Sequence, residues 1–289
     1  MPVTSHKVST SDGESYELRL SIPDSEITDN QLKRPILLCL PAMGVAARQY
    51  LTMAESCNQQ DLICALFEFR GIDSSSVRAS RAKDFGYLEI LNIDLPAAIK
   101  LIREFYPNNP IYLFGHSLGG QLASLYASIH SDEITGLIGI ATGSPYFKGW
   151  RFPYNLGIWS MSKLLPLTAN VMGYFPGRKL GFGGRESGQL LKDWSYSVVT
   201  GKYRAKGLPE IFETQLTLLN KPVLFITVAQ DILAPQSSTK NLGAKLNQCD
   251  VTYLHLQAED FKQDSLGHFK WMKEPEPVAA KIKRWLKKH

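Results

Sequence analysis

The sequence has no C-x-x-C pair, no low-complexity tract, no internal repeat and no unbroken apolar run of membrane-spanning length. Its four cysteines, Cys39, Cys57, Cys64 and Cys249, are scattered, so neither a zinc site nor a disulfide framework is indicated. Cys39 and Cys64 lie in apolar runs and read as buried free thiols. The most apolar long window, Leu156 to Phe175, is interrupted by Lys163, Pro166 and Asn170, which argues against a membrane span. The opening stretch MPVTSHKVSTSDGESYE lacks the apolar centre of a secretory signal, so the expectation is a soluble, cytoplasmic protein. The net charge of +5 is too small for a generic nucleic-acid footprint, and no helix carries a basic stripe.

What is present is enough apolar sequence, 44% of 289 residues, for one large core or a core with an inserted subdomain. The charge is uneven. Between Pro145 and Glu210 there are ten Lys/Arg against three Asp/Glu, a local charge of +7 in a chain whose total is +5. The same segment holds 12 of the 30 aromatic residues. It is a different kind of sequence from what flanks it.

The flanks alternate strand and helix. Tyr16–Ile22 alternates polar and apolar, as a half-buried strand does, within a β-rich first 35 residues. Continuous apolar runs at 35–40 and 62–69 predict strands buried on both faces, and 111–114, 134–140, 223–228 and 251–256 read as further strands. Helices are expected up to about Gln59, over Tyr87–Tyr106 with a kink or restart at Pro96, over Ser117–His130, near Gln236–Leu246 and over Glu274–Lys288. This order implies an α/β fold with a mostly parallel, doubly wound sheet. The alternation breaks near Ser144 to Gly207, which contains a helical run split by Pro166 and the turn-rich GYFPGRKLGFGG. We divide the chain into a core at 1–143, a cap insertion at 144–215 and a second core part at 216–289. Ligands of such sheets bind at the carboxyl ends of the strands, where an insertion would roof the site.

The chemistry begins at Gly115-His116-Ser117-Leu118-Gly119, which fits G-x-S-x-G between a buried strand and a helix of small residues. A serine hydroxyl is a weak nucleophile and needs a base, itself oriented by an acid. Among six histidines, His6 and His289 are terminal, His116 adjoins the serine and should point away, His130 closes a helix and His255 lies inside a strand. His268 remains, on a loop after the last strand. Asp231 follows the strand at 223–228; Asp260 and Asp264 share the histidine's own loop and read as solvated surface. Ser117, Asp231 and His268 are therefore the expected catalytic residues. The oxyanion donors are the N–H of Leu118 and, because Pro41 has none, that of Met43.

Four separated motifs, LPAMG, FEFRGIDSS, GHSLGG and the pair AQDILAP with LGHF, resemble the α/β-hydrolase superfamily over nearly the whole chain outside the insertion. FEFRGIDSS is similar to that family's D-x-R-G-x-G-x-S segment, with Glu68 and Asp73 as departures, and Pro41-Ala42 replaces the usual His-Gly of the oxyanion loop. GYFPGRKLG resembles a group of bacterial α/β-hydrolases known as sequence predictions. The resemblance implies a serine hydrolase of carboxylic esters or thioesters that works through an acyl-enzyme, with no metal or organic cofactor.

Within the cap, Trp150, Phe152, Trp159 and Met161 are candidates for substrate contact, together with Tyr154, Leu164 and Leu165. The expected partner is a small ester or thioester with an apolar acyl group. Lys148, Arg151, Arg178, Lys179 and Arg185 could add an anionic leaving group or a weak contact with an anionic membrane surface. Peptidase, acyltransferase and cofactor-free haloperoxidase chemistry are alternatives on the same scaffold, and a non-catalytic binding protein is a third reading.

Overall fold

The computed structural model describes residues 3–24, 34–181, 183–261 and 263–289; the stretch 25–33 of the expected β-rich entry lies outside them. The strands are β1 (Val3–Ser9), β2 (Ser15–Ser21), β3 (Ile36–Leu40), β4 (Ile63–Leu66), β5 (Ile111–His116) and β6 (Gly136–Ile140), then β7 (Phe175–Pro176), β8 (Arg185–Glu186), β9 (Pro222–Val228) and β10 (Asp250–Leu256). Eight of them form one sheet in the order β1-β2-β4-β3-β5-β6-β9-β10. β1 pairs antiparallel with β2, and β2 antiparallel with β4; the pairings from β4 to β10 are parallel.

The continuous apolar runs become strands because the sheet is covered on both faces. In β3, Ile36, Leu38 and Leu40 enter one core cluster, while Leu37 and Cys39 enter the other. β5 and β9 alternate in the same way, Ile111 and Leu113 against Tyr112 and Phe114, and Val223 and Phe225 against Leu224 and Ile226. Cys39, Cys57 and Cys64 are free and buried.

Helices α1 (Leu51–Gln59) and α10 (Glu276–Leu286) cover one face. The other is covered by α2 (Tyr87–Glu89), a five-residue π-turn at Ile90–Asp94, α3 (Leu95–Phe105) and α4 (Leu118–Ile129). The helix expected over Tyr87–Tyr106 with a kink or restart at Pro96 is one contiguous helical run in three segments, and the π-turn falls immediately before Pro96. α3 buries Leu95, Ala98, Ile99 and Ile102, the i, i+3, i+4, i+7 pattern of one face.

Between β6 and β9 the chain forms α5 (Tyr154–Met172), the short β7–β8 ribbon around α6 (Gly177–Leu180), α7 (Gly188–Thr200) and α8 (Phe212–Leu218). α5 runs unbroken with Pro166 in its interior, so the expected split there does not occur. α5 packs on α7, whose N-terminus is capped by the Ser187 hydroxyl accepting from Leu190 N–H. Polar contacts tie this segment to the sheet side: Asp193 accepts from Tyr87 N–H at 3.1 Å, and Trp150 Nε1–H donates to Ile232 O at 2.9 Å. α9 (Gln236–Gly243) follows β9.

Candidate active site

Ser117 occupies the one-residue turn between β5 and α4, with φ 55° and ψ −120°. A non-glycine residue holds that conformation only where its surroundings impose it. Here Ser117 N–H donates to Ile140 O at 3.2 Å, and Ser117 O accepts from Thr142 Oγ1 at 2.6 Å. The turn also needs Gly119, because a Cβ there would lie 2.2 Å from Leu40 O.

The carboxyl ends of three parallel strands bring the expected residues together. His268 Nε2 lies 2.8 Å from Ser117 Oγ, and His268 Nδ1 lies 2.9 Å from Asp231 Oδ2 and 3.0 Å from Oδ1. Asp231 also accepts the N–H groups of Leu233 and Ala234 at 2.9 Å. A carboxylate so placed selects the tautomer with the proton on Nδ1 and leaves the Nε2 lone pair toward the serine. Asp231 and His268 are both buried.

Met43 and Leu118 line the same pocket as Ser117, and among the described residues neither N–H has an acceptor. Met43 belongs to a turn closed by Val45 N–H to Ala42 O at 3.1 Å. Gly44 follows with φ +71°, packed so tightly on the cap ribbon that a Cβ would meet Gly184 N at 2.0 Å. The oxyanion-loop candidate is thereby held against the residues that lead into β8.

A second hydrogen-bond chain, absent from the sequence reading, runs behind these groups. Ala42 N–H donates to Tyr50 OH at 2.9 Å, Tyr50 OH donates to His116 Nδ1 at 2.7 Å, and His116 Nε2–H donates to His268 O at 2.9 Å. Trp271 Nε1–H donates to the same carbonyl at 3.1 Å. Burial, reinforced by the neighbouring His268, pushes the pKa of His116 well below the usual histidine range, so it stays neutral. Burial likewise raises the Tyr50 phenol.

The pocket over Ser117 has a volume of about 170 Å³. Of the seven residues of 144–215 expected at the substrate, only Trp150 lines it; Phe152, Tyr154, Trp159, Met161, Leu164 and Leu165 do not. Phe152 is 76% exposed, Trp159 is 42% exposed and Met161 packs against the main core. The correction has a simple cause: α5 turns Ile158, Ser162, Leu165 and Ala169 inward, and Trp159 falls outside that stripe. Pro145, Gly181, Gly183 and Trp194 also line it from the segment between β6 and β9. Two of the segment's arginines stack on its own aromatic rings, Arg185 on Tyr174 at 3.7 Å and Arg204 on Tyr196 at 3.9 Å. Glu186 is buried with Gly184 N–H on its Oε1, and burial lifts its pKa to about 7. Among the described residues, no group of three or more His, Cys, Asp or Glu side chains is placed to hold a metal ion.

This architecture has known relatives. A family model described as the alpha/beta hydrolase fold matches residues 35–261, and the chain belongs to that family. No curated protein sequence matches it significantly. Solved structures similar to it include a soluble variant of monoglyceride lipase from Saccharomyces cerevisiae in complex with a substrate analog. That pair is 16% identical with a TM-score of 0.72, over 100% of this chain and 95% of that one. Est1E from Butyrivibrio proteoclasticus with ferulic acid bound is 16% identical with a TM-score of 0.63, over 98% of each chain. The alpha/beta hydrolase GrgF from Penicillium sp. sh18 is 18% identical with a TM-score of 0.63, over 100% and 99%. At these identities the likeness is one of fold.

Proposed function

We propose that the chain is a serine hydrolase of carboxylic esters or thioesters. The observation that carries this reading is the alignment of Ser117, His268 and Asp231 at 2.8 and 2.9 Å from the ends of three different strands. His268 Nε2 takes the Ser117 proton as Oγ attacks the carbonyl carbon, and the carbonyl oxygen becomes an oxyanion between the Met43 and Leu118 N–H groups. Asp231 holds the imidazolium. Collapse breaks the bond to the leaving alcohol or thiol, which takes the proton from His268. Water then loses a proton to His268, attacks the acyl-serine and releases the acid, and Ser117 regains its proton. Residues 144–215 act as the cap over this centre.

The cap also gives the protein a weak affinity for anionic membrane surfaces. Leu156, Trp159, Leu167 and Val171 stand exposed along α5, with Lys163 beside Trp159 and Lys148 and Arg151 at its start. No described helix is long and apolar enough to cross a membrane.

The test is turnover of short-chain p-nitrophenyl esters. Wild type hydrolyses them, and Ser117→Ala and His268→Ala each lower kcat by about 10⁴-fold or more at an unchanged unfolding midpoint. Hydrolysis that survives Ser117→Ala would refute the mechanism.

A further inference from the structure

We infer that the pocket is built for a compact ester bearing a hydroxyl group away from the scissile bond, held by Gln121 and Ser238. The inference rests on the ester-hydrolase reading above and narrows its substrate. Among the described residues, two of those lining the pocket carry a buried side-chain polar atom with no hydrogen-bond partner: Gln121 Oε1 and Ser238 Oγ. Gln121 is 7% exposed and Ser238 1%.

Their neighbours make these two stand out. Three other side-chain polar groups of the site are engaged: Ser117 Oγ with His268, Thr142 Oγ1 with Ser117 O, and Trp150 Nε1 with Ile232 O. On α9 three hydroxyl residues follow one another. Ser237 Oγ donates to Gly149 O at 2.5 Å and Thr239 Oγ1 to Thr142 O at 2.6 Å, while the hydroxyl between them, the one in the pocket lining, has no partner. On α4, Ser124 and Ser128 turn their hydroxyls back to the Gly120 and Leu125 carbonyls, and Tyr126 donates to Glu133. Gln121 alone among them has no such outlet for its Oε1.

A buried acceptor left unpaired is costly, and the cost disappears when a ligand pairs it. Gln121 Oε1 can only accept, so its partner must donate, and Ser238 Oγ can do either. A substrate hydroxyl can donate to either. The rest of the lining is mostly apolar and small, Ala42, Ala141, Ala234 and Leu233 with the two tryptophans. A volume of about 170 Å³ compares with the roughly 150 Å³ cavity that takes a benzene ring. The site therefore suits a compact group with one or two hydroxyls, and a long unbranched acyl chain exceeds it.

The hydroxyl can sit on the acyl or on the alcohol side, and two pairs of esters separate these sources. Racemic methyl 3-hydroxybutyrate against methyl butyrate reports the acyl side, and glycerol monobutyrate against propyl butyrate the alcohol side. Dissociation constants are measured calorimetrically on Ser117→Ala, where turnover is blocked, and kcat/KM by pH-stat on wild type. In at least one pair the hydroxylated ester is expected to bind and react about tenfold better or more. Gln121→Leu and Ser238→Ala, each checked for an unshifted unfolding midpoint, should bring that ratio toward one. Turnover with no preference in either pair overturns the subsite and leaves the hydrolase reading standing. A binding preference without turnover supports the subsite and overturns the hydrolase reading. Neither binding nor turnover removes both.

Discussion

At the scale of single residues, the account separates groups that would react from groups that hold them. Tyr50, His116 and Trp271 belong to the second kind: they fix the backbone of His268, and Tyr50 also ties it to the oxyanion loop. Tyr50→Phe leaves Ala42 N–H and His116 Nδ1 without their shared partner. It should lower kcat about tenfold with little change in KM, and cost about 1–3 kcal/mol of stability in denaturant titration. An unchanged kcat would mean that the chain is only structural. Ser117 and His268 were legible because a tight turn and a late loop leave local marks in sequence. Tyr50 was not. Its partner His116 lies 66 residues away, and His116 meets His268 O across 152, so no local pattern records either contact. His255, set aside because it lies inside a strand, pairs its Nδ1 with Thr227 Oγ1 at 2.8 Å.

The elements show where pattern reading stops. Core strands followed from short continuous apolar runs and helices from the period-3.6 pattern, because the strands are covered on both faces and the helices on one. α5 is apolar nearly all round, with Leu156, Trp159, Leu164, Leu167 and Val171 facing solvent while Ile158, Ser162, Leu165 and Ala169 face in. Its inward side was therefore not legible, and Phe152, Trp159 and Met161 were expected at a pocket they do not line. Gln121 and Trp194, which do line it, gave no signal, since their place depends on how the cap meets the core. The exposed side of α5 carries its own consequence. In a sedimentation assay the protein should pellet with phosphatidylglycerol vesicles and less with phosphatidylcholine vesicles, and high salt should release it. Leu167→Asp with Val171→Asp should reduce the bound fraction several-fold. Equal recovery in the supernatant with both lipids would show the face to be inert.

The whole molecule carries buried carboxylates whose protonation links stability to pH. Burial lifts Glu68 and Glu186 to about 7 and Asp94 to about 6. An acid whose folded pKa exceeds its unfolded value favours the folded state most at low pH. That contribution is lost as pH rises from the unfolded value, about 4.5, through about 7. Denaturant stability should therefore fall between about pH 5 and pH 8. Glu186→Gln should flatten the slope by an amount on the order of 3 kcal/mol, while an unchanged slope would place the titration elsewhere. At this scale the sequence was most informative about the mostly parallel, doubly covered sheet, which follows from where apolar runs alternate with helical patterns; the spatial order of the strands is a property of the structure alone. The central claim, an activated serine at the turn after β5, is tested most directly by a fluorophosphonate probe with the adduct mapped by mass spectrometry, wild type beside Ser117→Ala. The expected result is a single adduct on Ser117, absent from the variant. Folded wild-type protein that neither takes the label nor hydrolyses small phenyl esters would contradict it.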